Sequence, residues 1–214
     1  MRALRVVTSM LAVVGPMLAG PLEAQAESGL VLQAGAFGMV TRRSAAFGGS
    51  VGTANAFLTG MSFGASLRHV GLSGRLFGGT YPGDSAAGGK LASGDITLSA
   101  GWPTVAGLLG YGRRGFTGAF GSISWSFWRV GAQSDFALGS SGLHAGLSVA
   151  AYVGVSRGAS GKEGETHLIW EPAGAPVTVM LGYRIEQFTA SSGAGPVPDD
   201  VSGVVLGAGW RWSR

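Results

Sequence analysis

The chain has 214 residues, of which 40 are glycine, well over twice the usual share of about 7%. Fifteen Lys and Arg stand against eleven Asp and Glu, for a net charge of +4, and there is no cysteine. Mean hydropathy is +0.32, yet past the N-terminus no run of about 18 apolar residues offers a spanning helix. The glycines lack the three-residue period of collagen, and apolar residues are too plentiful for a disordered chain. Without cysteine there is no disulfide framework, thiolate metal site or cysteine nucleophile.

The chain opens on a basic stretch with Arg2 and Arg5, an apolar run from Val6 to Gly20, and Ala24-Gln25-Ala26 as a small-x-small site. Residues 1–26 read as a cleaved secretory signal peptide, leaving residues 27–214 as the mature domain. Its removal takes away Arg2, Arg5 and Glu23, so the net charge falls to +3. No basic stripe of the kind that tracks phosphates is present, so no nucleic-acid partner is expected.

Ten strands are predicted in the mature domain. The first spans Gly29–Val40, with Leu30, Leu32, Ala34 and Ala36 on one face. A loop over 41–54 leads to a second strand, Asn55–Arg68, with Phe57, Met61 and Phe63 on one face. A tight turn near His69–Gly71 leads to a third, ending at Thr80. Tyr81-Pro82-Gly83-Asp84 opens a loop lasting to Ser93. Strand four, Gly94–Trp102, alternates Ile96, Leu98 and Ala100 with Asp95, Thr97 and Ser99. Strand five, Val105–Arg113, carries Leu109 and Tyr111, and a loop follows over 114–121. Strand six, Ser122–Leu138, starts with Ile123, Trp125 and Phe127 on its apolar face. Val130, Ala132 and Phe136 then take the opposite parity, which predicts a β-bulge near Trp128-Arg129. Strand seven sets Leu143, Ala145, Leu147, Val149, Ala151 and Val153 against His144, Gly146 and Ser148. A charged loop, Arg157–Glu165, precedes a short strand, Thr166–Glu171. Val177–Glu186 and Gly203–Trp212 form the last pair, with Tyr183, Trp210 and Trp212 on their bulky face.

Period-two alternation makes these strands. The bulky face outside and the small or polar face inside is the pattern of a membrane barrel; a soluble sandwich or lipocalin-like barrel would bury the bulky face. The connections alternate between long and short, as outer loops and periplasmic turns do. Trp102, Trp170, Trp210, Trp212, Tyr111 and Tyr183 fall toward strand ends, as an aromatic girdle would. The expected fold is an all-β transmembrane up-and-down antiparallel barrel of ten strands, or eight if the 69–71 turn or the short eighth strand fails.

The signal segment, the Gly/aromatic strands, the Gly182-Tyr183-Arg184 strand and the final alternating aromatic strand resemble small bacterial outer-membrane β-barrel proteins. The resemblance implies outer-membrane residence, and outer-membrane lipid and the assembly machinery as partners. That machinery reads a terminal aromatic residue, whereas here Ser213-Arg214 follows Trp212.

Arg68, Arg75, Asp95, Arg129, Asp135, His144, His167, Glu171, Arg184, Glu186 and Arg211 are expected to face inward. Their mixed signs suggest a lumen plugged by paired charges. The expected role is structural or surface-interacting. A narrow passive pore is the alternative, and a membrane-embedded lipid-modifying enzyme using His144 with Ser148, or His167 with Glu171, is the third reading. No catalytic motif, metal set or cofactor motif singles itself out. Arg42, Arg43, Arg113 and Arg114 sit at expected loop ends, where they could contact lipopolysaccharide phosphates.

Overall fold

The computed structural model describes residues 29–213, apart from 48–49, 103, 120 and 193–194; the predicted signal peptide lies outside the described residues. Ten strands follow in order: β1 (Leu30–Phe47), β2 (Ser50–Leu67), β3 (Val70–Tyr81), β4 (Gly89–Trp102), β5 (Val105–Gly118), β6 (Gly121–Ala137), β7 (Leu143–Val153), β8 (Ser160–Trp170), β9 (Val177–Ser192) and β10 (Gly195–Ser213). Each pairs antiparallel with its neighbour, and β10 returns to β1 to close the barrel. The closing ladder runs from Val31 opposite Ser213 to Ala45 opposite Asp199. Closure satisfies every strand laterally, as a bilayer core without water requires.

Phase decides which face meets lipid. On β1 Leu30, Leu32 and Val40 are exposed while Val31, Met39 and Thr41 are buried. The exposed set continues around the wall through Met61, Leu72, Leu98, Leu109, Val130 and Leu206. In water each such side chain would forgo roughly 1.5–3 kcal/mol of burial, so this surface fits hydrocarbon. From Leu30 to Val40, strand tilted by roughly 35–45° rises about 25 Å, the height of an apolar membrane band. Trp102, Trp170, Trp210 and Trp212 rim one edge, and Tyr111, Trp128 and Tyr183 the other; all seven are exposed. Glycine sits under some of the outward phenylalanine rings. A Cβ on Gly74 would lie 2.2 Å from the Phe63 ring, so the bare backbone lets that ring lie flat on the wall.

Three expectations need correction. The long loops are mostly strand: β1 runs on to Phe47, β5 to Gly118, and β8 begins at Ser160. The connections at that end shrink to 48–49, 82–88, 119–120, 154–159 and 193–194. The β2–β3 turn is Arg68-His69, one position earlier than predicted, and Arg68 takes a left-handed φ of 53°. There is also no bulge in β6, whose ladder to β5 runs unbroken from Ser134 opposite Val105 to Gly121 opposite Gly118. Trp125 and Phe127 face inward and are buried, while Trp128 and Val130 face outward. The apparent slip arises where β6 leaves the apolar band. Above the band the outside is serine and the inside is aromatic, so the pattern inverts while the register holds.

Candidate functional site in the barrel lumen

Inward positions of seven consecutive strands, β3 to β9, bring eight ionised side chains and one tyrosine hydroxyl together. Arg75 on β3 donates from Nε to Asp95 Oδ2 on β4 at 3.1 Å and from Nη1 to Glu165 Oε2 on β8 at 2.9 Å. Arg114 on β5 donates to Glu186 Oε2 on β9 at 2.8 Å. Arg129 on β6 pairs with Glu163 and donates to Thr97 Oγ1 at 3.1 Å. Arg184 on β9 reaches Glu163 Oε2 at 2.9 Å, Glu165 Oε2 at 3.4 Å and the carboxylate of Glu186. Tyr152 on β7 donates to Glu163 Oε2 at 2.7 Å and lies 3.0 Å from Glu186 Oε1. Arg75, Arg114, Arg129 and Arg184 thus meet Asp95, Glu163, Glu165 and Glu186, and the charges cancel. Arg114 is 1% exposed and Glu186 3%. Ions desolvated this far persist only when paired and hydrogen-bonded.

A second assembly lies nearer the far rim. Arg43 makes a two-pronged pair with Asp199, Nε to Oδ1 at 2.7 Å and Nη2 to Oδ2 at 3.0 Å. Its Nη1 donates to the carbonyls of Ala87 at 3.0 Å and Ala86 at 3.4 Å, holding the 82–88 connection inside the rim. The guanidinium carbon lies 3.4 Å from the centre of the Phe116 ring. Tyr81 Oη and Thr41 Oγ1 are 2.9 Å apart beside it. A stack of Trp125, Phe127, Tyr152 and Phe188, with ring centres 4.3–5.5 Å apart, fills the opposite side.

The predicted lumen residues separate into groups. Arg75, Asp95, Arg129, Arg184 and Glu186 join the central network. Arg211 and Glu171 pair with each other near the chain ends. His167 Nε2 lies 3.6 Å from Asp135 Oδ2. It gets there across Gly146, where a Cβ would stand 2.1 Å from that nitrogen. His144 faces inward opposite Ile169 at the same end. Arg68 does not join them; it is exposed in the β2–β3 turn.

The four arginines expected at loop ends divide by parity. Arg42 and Arg113 are exposed on the outer wall, whereas Arg43 and Arg114 are buried in the lumen. The latter two are corrections, because their strands continue through the predicted loops and adjacent residues on a strand face opposite sides. Sequence reasoning missed Glu163, Glu165 and Asp199 for the same reason. Carrying the alternation of β8 back from His167 would have placed Glu165 and Glu163 inward. The pairs His144 with Ser148 and His167 with Glu171 are each four residues apart in extended chain, about 13 Å, so neither is a hydrogen-bonded catalytic pair.

No family model and no curated protein sequence matches the chain. Solved structures do. The outer membrane protease OmpT from Escherichia coli superposes with a TM-score of 0.54 at 7% identity, over 88% of this chain and 97% of that one. Neisserial surface protein A gives 0.43 at 17% identity, over 85% and 96%. The translocator domain of the autotransporter NalP from Neisseria meningitidis gives 0.41 at 15%, over 99% and 96%. With ten strands closed by β1 and β10 and an apolar outer band, the chain has the fold of the bacterial outer-membrane β-barrels.

Proposed function

We propose that the protein is a structural or surface-interacting resident of the outer membrane whose lumen does not conduct. The carrying observation is the neutral set of four arginines and four carboxylates, five of the eight buried and all mutually bonded across β3 to β9. An ion crossing the lumen would have to part several of these contacts at once. In planar bilayers, protein shown to be folded by its gel mobility before and after boiling should stay electrically silent. Steady single-channel steps from the same sample would overturn this and favour the passive pore.

The outward arginines support a second element of the reading, contact with lipopolysaccharide phosphates at the outer edge of the apolar band. Of the four arginines expected there, Arg42 and Arg113 face that way; charge reversal at both should weaken lipopolysaccharide affinity, and unchanged affinity would remove the idea. The fold shared with a protease carries no chemistry across at 7% identity. Lipid A deacylation lost on changing His144 or His167 would instead favour the enzyme reading.

A further inference from the structure

The two halves of the lumen differ in what faces inward. Toward the 82–88 connection the inward side chains are bulky and buried, among them Phe77, Phe116, Trp125 and Phe188. Toward the end that holds Leu30 and Ser213 small side chains, amides and hydroxyls are interspersed with the Arg211–Glu171 and His167–Asp135 contacts. Gln33, Ser66 and Ser73 occupy inward positions there and are nevertheless exposed. A cavity of about 210 Å³ opens at this end, lined by Ser66, Gly71, Ser99, Gln133 and Asp135 among others, with Arg68 and His69 of the β2–β3 turn at its rim.

The charges around this space are of both signs. Arg211 pairs with Glu171, His167 faces Asp135, and Arg75 holds Asp95 and Glu165. With the Asp135 carboxylate in the wall and the Arg68 cation at the rim, a ligand of either charge meets a like charge as well as an opposite one. The open hydrogen-bonding capacity lies in neutral hydroxyls and amides, which both donate and accept. Sugar hydroxyls have the same dual character. The volume falls below the roughly 300–1,000 Å³ of ordinary ligand pockets, so it admits only the end of an elongated molecule.

We propose that this half of the lumen is a blind cup that binds one end of a neutral saccharide chain, reached from the side where both chain ends lie. Its being blind rests on the non-conducting reading above. The test is an amide NMR titration of the refolded barrel in an amine-oxide detergent, free of sugar headgroups, with chitotriose and maltotriose as probes. Saturable shifts at millimolar probe, confined to the neighbourhood of Ser66, Gly71, Ser99 and Gln133, are expected with at least one of the two. Ser99→Ala with Gln133→Leu should weaken binding about tenfold while boiling still changes gel mobility. No saturable shift with either sugar, or shifts that persist unchanged in the double variant, would overturn the cup. Neither result depends on conductance, so an electrically silent barrel that ignores both sugars loses the cup and keeps the closed lumen.

Discussion

Replacing Arg184 with methionine should be among the most damaging single changes in the barrel. The guanidinium touches three carboxylates, those of Glu163, Glu165 and Glu186. Its loss leaves four carboxylates with Arg75, Arg114 and Arg129, one uncompensated negative charge in a buried site. Removing one partner of a buried pair costs about 3–5 kcal/mol. With a urea slope of roughly 1–3 kcal/mol per molar, the unfolding midpoint should fall by about 2 M. The assay is urea unfolding of the barrel in phospholipid vesicles, followed by tryptophan fluorescence. A second variant, Arg184→Met with Glu186→Gln, removes one charge of each sign. It should recover a substantial part of the loss, because three arginines then face three carboxylates and Arg114 can still donate to the amide oxygen at position 186. A midpoint unchanged by the single substitution, or a double variant no more stable than the single, would refute the claim that charge balance holds this network together.

Neighbouring arginines on β5 should behave oppositely: Arg113→Glu on the exposed face should leave the unfolding midpoint nearly unchanged, whereas Arg114→Glu should prevent formation of the unboiled gel form by placing an anion against Glu186. Arg43→Leu should free the 82–88 connection, read as faster amide exchange at Ala86 and Ala87; protection equal to the parent would mean that the latch contributes nothing. Gly146→Val should push His167 away from Asp135, seen as a changed imidazole nitrogen shift, with little effect on overall folding.

How much was legible depended on where a strand stood relative to the membrane. Within the apolar band the reading held: β7, β9 and β10 kept one parity, and Leu147, Tyr183 and Trp210 fell on the side predicted for them. Beyond the band the rule of bulky residues outside no longer applies. There Trp125 and Phe127 turn inward because the outside is water again, and the change of parity resembled a bulge. The same blindness hid Arg43, Arg114, Glu163, Glu165 and Asp199. Polar, Gly-containing sequence reads as loop, although these residues sit on strands stiffened by neighbours that the local pattern does not reveal. Partner choice was not legible at all. That Arg129 meets Glu163, and Arg75 meets Glu165, follows from seven strands curling until distant walls face each other.

The pair between Arg43 and Asp199 joins residues 156 positions apart across the seam where β1 meets β10. Neither side chain has this partner until the final strand has arrived. The seam is thus a late event in maturation, since loop-closure entropy over nearly the whole domain must be met before the contact returns anything. A chain interrupted before β10 would present the bare edges of β1 and β9 and an Arg43 without its carboxylate partner. Those two unpaired edges are what separates an unfinished sheet from the closed barrel.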